Sequence, residues 1–193
     1  MSVLRDKTTA TVQFRCALEQ IAILLLTEAS KHWPTRATEI ETPLASMTGA
    51  SLAQPVVFVP ILRAGLGLLE GMLRVMPEAE IGHIGLYRDD VTLRPVNYYC
   101  RLPARLAQSH VVLLDPMLAT GRSATEAVTL LKSQGATSIQ FICVVACELG
   151  IEQLRSVHLD IPMYSAAIDP ELNEFGYIVP GLGDAGDRYF GTL

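Results

Sequence analysis

The chain has 193 residues, of which 50% are apolar and 18% charged, with 15 Lys+Arg against 20 Asp+Glu and a formal net charge of −5. This length suits one domain over residues 1–193, and the apolar content excludes a disordered chain. The mild acidity speaks against a nucleic-acid partner, which would call for a basic face.

Residues 11–31 read as a helix. Val12, Leu18, Ile21, Ala22, Leu25 and Leu26 recur near a 3.6 period, and Pro34 stops the run. The apolar stretch Ile21 to Leu26 falls far short of the ~20 residues of a membrane span. No basic start or small-residue cleavage site marks a signal peptide. Residues 35–54 carry no clear pattern. Val56-Val57-Phe58-Val59 is a run of β formers that Pro60 follows, as in a strand covered on both faces. A helix is predicted for Leu66 to Val75 and a strand for Ile81 to Tyr87. The polar stretch 88–104 reads as a projecting hairpin. His110 to Leu114, ending in Asp115, is the clearest strand. A helix follows from about Ser123 to Ser133, with Gly135 as its stop. Ile139 to Ala146 reads as a buried strand, Ile151 to Ser156 as helix and Pro162 to Ile168 as strand. The turn-rich tail spans 170–193. Strands alternating with helices argue for an α/β fold with a parallel, doubly covered sheet and right-handed connections.

The four cysteines are Cys16, Cys100, Cys143 and Cys147. None forms a C-x-x-C pair, and they read as reduced thiols of a cytoplasmic protein. Cys143 and Cys147 are expected on one strand, facing the same way. The scattered histidines suggest no metal site.

Ligands of such sheets bind at the carboxyl ends of strands, which singles out three segments. In Asp115-Pro116-Met117-Leu118-Ala119-Thr120-Gly121-Arg122-Ser123 a strand ends in a carboxylate, and a loop of small and hydroxyl residues enters a helix. Free N–H groups at a helix N-terminus attract anions, and Thr120 and Ser123 add hydroxyl donors. Asp115 suits sugar hydroxyls or a hydrated Mg²⁺. The combination points to a phosphorylated sugar. The plainer alternative makes Thr120 or Ser123 a simple helix cap. In the second segment, Arg63 stands in a strand-to-helix turn before Ala64-Gly65, and Arg88 follows the next strand. Both can face an anion, although most arginines are solvated surface residues. The third segment, Tyr177 to Arg188, holds Gly181, Gly183 and Gly186, which let backbone approach a flat ligand. The alternative for it is a flexible terminus.

Asp115–Ser123 resembles the phosphoribosyl-pyrophosphate (PRPP) motif of type I phosphoribosyltransferases. Val59–Gly67, Gly85–Asp89, and Leu172–Glu174 with Gly181–Asp187 narrow the resemblance to the uracil phosphoribosyltransferase family, over about Leu4 to Thr192. It implies a type I phosphoribosyltransferase sheet with a projecting β-arm (about 88–104) and a C-terminal base-binding hood (about 170–193). It implies transfer of phosphoribosyl from PRPP to uracil, giving UMP and pyrophosphate, with Mg²⁺. It assigns PRPP to Arg63, Arg88, Asp115, Pro116, Met117, Leu118, Ala119, Thr120, Gly121, Arg122, Ser123 and Asp184, and uracil to Ile178, Gly183, Asp184 and Ala185. Arg63, Arg88, Asp115 and Asp184 carry the catalytic roles. The resemblance provides for no direct protein ligand to the metal, which PRPP carries, with a water bridge to Asp115 allowed. It implies a homodimer or higher homo-oligomer and leaves room for a GTP effector. Arg122 stands where many relatives have a second glycine, and the chain starts later than most. Competing readings are a purine phosphoribosyltransferase, an RNA-binding regulator of the same fold and an inactive paralogue. The glycine-rich tail, the negative charge and the intact arginines and aspartates weigh against them in turn.

Overall fold

The computed structural model describes residues 1–88 and 95–192, with nothing said of the Arg88 and Pro95 side chains. In chain order the elements are α1 (Ser2–Arg5), α2 (Thr11–Ala29), β1 (Thr35–Glu41), β2 (Ser46–Leu52), β3 (Val56–Leu62), α3 (Leu66–Val75), β4 (Glu80–Ile81), β5 (His83–Arg88), β6 (Pro95–Arg101), β7 (His110–Leu114), β8 (Met117–Leu118), α4 (Arg122–Ser133), β9 (Ser138–Cys147), α5 (Glu148–Val157), β10 (Met163–Asp169), β11 (Glu171–Leu172), β12 (Ile178–Val179) and α6 (Ala185–Phe190). The main sheet runs β10-β9-β7-β3-β5-β6, with β4 also on β3 and β8 on β9. Its pairings are parallel except β5 with β6.

The apolar runs explain the two covered faces. Along β3, Val56 and Phe58 pack with α2 and α3, while Val57, Val59 and Ile61 pack with α4. The chain leaves β3 through α3 towards β5, and leaves β7 through α4 towards β9 on the opposite side. The winding therefore reverses between β3 and β7, and a crevice opens beyond their carboxyl ends.

Three local expectations are corrected. Pro60 lies inside β3, which continues to Leu62. At that point the neighbour changes from β4 to β5, with Gly82 N–H donating to Phe58 O, so a residue without an N–H is tolerated. Residues 35–52 form a regular antiparallel hairpin, β1 with β2. It shows no periodicity because most of its residues are exposed on both faces. Cys143 and Cys147 face opposite layers. The N–H groups of Val144 and Val145 both donate to Pro116 O. That bulge shifts the alternation between the two thiols. All four cysteines are free. No helix among the described residues is long and apolar enough to cross a membrane.

Candidate active site

The crevice holds two adjoining recesses that share Asp115, Met117 and Ala119. The smaller, of about 80 Å³, is lined by Asp115, Met117 to Gly121, Ser123 and Ala124. The larger, of about 240 Å³, is lined by Ala64, Asp115, Met117, Ala119, Gly176, Tyr177, Ile178 and Gly183 to Gly186. The three strand-end segments thus meet in one place. A larger cavity of about 580 Å³ lies by Val56, at the starting end of β3. Ligands of parallel sheets avoid that edge. Its arginines are engaged as well, Arg105 with Glu80 and Arg36 with Ser51.

The loop into α4 is shaped by glycine. Gly121 caps the helix at φ +76, and the cap makes no side-chain hydrogen bond. Thr120 and Ser123 are therefore not the cap, and the cap residue itself has no side chain. The left-handed backbone favours glycine. A Cβ at Gly121 would also stand 2.5 Å from Gly150 O. Gly150, in the first turn of α5, has no room either, since a Cβ there would lie 2.5 Å from Ala119 O and 2.6 Å from Leu118 O. Two glycines thus let a second helix press on the loop. Arg122 is the first residue of α4 and is exposed.

Asp115 follows β7 at the floor of the crevice, half-buried, with Met117 N–H 3.4 Å from its Oδ1. Burial and the facing charge of Asp184 push its pKa up to about 7. Asp184 caps α6, accepting Asp187 N–H at 2.8 Å. Two carboxyl groups thus face one space that a cation would relieve. No cluster of three or more His, Cys, Asp or Glu occurs among the described residues. Two carboxyl groups can supply part of the oxygen shell of a hard cation.

Arg63 lines neither recess and turns to the tail. Its Nη2 lies 3.1 Å from Asp187 Oδ1, and its guanidinium rests 5.4 Å from the centre of the Phe190 ring. The side chain is 57% exposed, so the pair is weak and readily exchanged for a phosphate. The Arg88 side chain lies outside the described residues. The expected arm at 88–104 is described only from 95 onward.

The tail is packed. The backbone of β11 and β12 pairs, the Val179–Pro180 peptide is cis, and Ile178 is buried. Gly181 and Gly183 have φ +57 and +71. Together they turn Gly183, Asp184 and Ala185 to the cavity. The sequence assigns no role of their own to Gly150, Asp187, or the pair Arg5 and Asp169 that holds the tail from behind. Gly150 falls just before the helix predicted from Ile151, whereas α5 begins at Glu148, so no helical pattern marks it. Asp187 and the pair have no signal either, because their partners are distant in sequence.

A doubly covered parallel sheet with a glycine-capped loop at its reversal point and a packed tail beside it is the architecture of a type I phosphoribosyltransferase. A solved purine phosphoribosyltransferase from Pyrococcus horikoshii shares the fold, with a TM-score of 0.55 at 16% identity over 80% of this chain and 85% of that one. The family model described as uracil phosphoribosyltransferase matches residues 1–192, and the chain belongs to that family. Curated proteins named uracil phosphoribosyltransferase from Dictyoglomus turgidum and Desulfitobacterium hafniense are 51% and 48% identical over all 193 residues, covering 93% and 92% of those proteins. A solved Aquifex aeolicus protein superposes with a TM-score of 0.92 at 35% identity, over 98% of this chain and 91% of that one.

Proposed function

We propose that the protein joins uracil to the ribosyl carbon of PRPP, forming UMP and releasing pyrophosphate. The observation that carries this reading is the pair of recesses meeting at Asp115. One is a loop of small residues at a helix N-terminus. The other is a cavity walled by glycine backbone. At about 240 Å³ it is smaller than the ~300–1,000 Å³ pockets of drug-sized ligands and has room for a single flat base.

In this reading the N–H groups of residues 119–123, with the Thr120 and Ser123 hydroxyls, hold the 5′-phosphate. Asp115 accepts from the ribose hydroxyls. Arg63 leaves Asp187 for the pyrophosphate, and Arg88 is assigned to the same group from the sequence. Ile178, Gly183, Asp184 and Ala185 read the base, mainly through main-chain groups. The C1′–O bond breaks as the N1–C1′ bond forms, and the N1 proton is lost to solvent. The donors on phosphate and pyrophosphate stabilise the charge that develops on the leaving group. Mg²⁺ carried by PRPP would neutralise pyrophosphate oxygens, and Asp115 and Asp184 would be available to hold its waters. The tail and the 88–104 segment are the candidates for excluding water. A cytoplasmic setting agrees with four free thiols. A homo-oligomer agrees with the exposed Ile40, Leu44 and Met47 on the β1–β2 hairpin.

The test is nucleotide formation from PRPP and Mg²⁺ with uracil, hypoxanthine, guanine or orotate supplied singly. UMP from uracil alone is expected. A purine nucleotide, or no product with any base, overturns the reading.

A further inference from the structure

We propose that Arg5 and Asp169 are positioning residues for the base, acting through the turn that carries Gly183 and Asp184. The proposal rests on the uracil reading above.

That turn is a thin wall. Gly183 and Asp184 line the base cavity on one side. On the other they line a second cavity of about 350 Å³, with Arg5, Lys7, Pro180, Leu182 and Arg188. A wall with space on both faces holds its place only if something grips it. Asp169, the last residue of β10, supplies a rigid post, as its side chain is 6% exposed and β10 is paired along its length with β9. Arg5 grips both carboxylate oxygens, Nη1 to Oδ2 at 2.6 Å and Nη2 to Oδ1 at 2.7 Å. The pair then takes both backbone groups of Gly181. Its N–H donates to Asp169 Oδ2 at 2.8 Å, and its carbonyl accepts from Arg5 Nη1 at 3.3 Å. Next along the turn, Leu182 O accepts from Arg188 Nη1 at 2.8 Å. Residues 181 and 182 are thus fixed from behind, while 183 to 185 face the ligand.

Neither Arg5 nor Asp169 lines the phosphate recess. Their loss should therefore be felt by the base and not by PRPP. A fork geometry that serves two oxygens and a carbonyl at once is beyond a lysine, so charge alone should restore little.

The experiment measures KM for uracil and for PRPP, and kcat, in Arg5→Gln, Arg5→Lys, Asp169→Asn and the Arg5→Gln/Asp169→Asn double variant. Arg5→Gln and Asp169→Asn should each raise the uracil KM about tenfold, with PRPP KM and kcat at saturating uracil within about twofold. Arg5→Lys should fall between Arg5→Gln and the native enzyme. The double variant should be no worse than the more impaired single one, because the pair acts as a unit. An unchanged uracil KM, or an equal rise in both KM values, overturns the proposal. If Arg5→Gln does not fold, Arg5→Lys decides, and a native uracil KM there overturns it equally. Absence of UMP from the native protein would instead defeat the functional reading.

Discussion

Asp115 faces opposed demands: a recess that disfavours charge, and a ligand whose hydroxyls want a charged acceptor. Its pKa is pushed up to about 7 in the folded chain against an ordinary 3.8. Between those values the folded state holds a proton that the unfolded chain has lost. The stability this gives is present at low pH and disappears as pH rises through about 7. The melting temperature of the ligand-free protein should therefore fall more between pH 6 and 8 than that of Asp115→Asn. Parallel falls would remove this role. Asp184 combines a cap with a place in the base cavity. Asp184→Ala should cost only about 1 kcal/mol of stability as a lost cap, yet lower kcat/KM for uracil at least ~100-fold, about 2.7 kcal/mol of barrier. Near-native turnover in melting-competent Asp184→Ala would take the side chain out of the site. Arg122 is proposed to serve the phosphate through its backbone N–H, so Arg122→Gly should keep turnover within about tenfold. A collapse would show that the guanidinium itself binds. The residues legible in the sequence were those at strand ends, because strand direction alone places them on one edge. Arg63 was legible as a position but not as a contact, since its present partner Asp187 is 124 residues away.

Helices and strands with buried faces could be read closely: α3 runs from Leu66 to Val75 as its periodicity predicts, and α4 starts at Arg122, one residue early. The β1–β2 hairpin was illegible because periodicity records burial and this hairpin has little. The bulge in β9 was illegible because the two-residue repeat assumes an unbroken ladder. At this scale the packing of α5 on the phosphate loop makes its own prediction. Alanine is favoured over glycine in a helix by up to ~1 kcal/mol, so propensity alone would make Gly150→Ala stabilising. The Cβ would stand 2.5 Å from Ala119 O, and the loop must yield. Gly150→Ala should raise the PRPP KM about tenfold with less change in the uracil KM. An unaltered PRPP KM would show that the loop tolerates the push.

Across the molecule, the two layers bury two of the four thiols. Cys143 is pushed up to about 12 by burial, and Cys147 is 2% exposed. Cys16 is exposed. A thiol reagent should label Cys16 at once, and Cys143 and Cys147 only at the rate of global opening. Early labelling of the buried pair would reveal a locally loose sheet. The two-layer architecture followed from the apolar runs. Contacts between chain ends could not be foreseen, as no local pattern encodes them. Arg5 meets Asp169 across 164 residues, and Arg188 meets Leu4 across 184. Such closures are entropically late events in folding. A ribosome releases α1 well before the turn at Pro180 to Gly183. The loop expected to hold the sugar phosphate therefore leaves the ribosome well before the turn expected to choose the base. On this assignment selectivity for the base is acquired after the hold on the sugar phosphate, and a chain that stops short of Pro180 never acquires it.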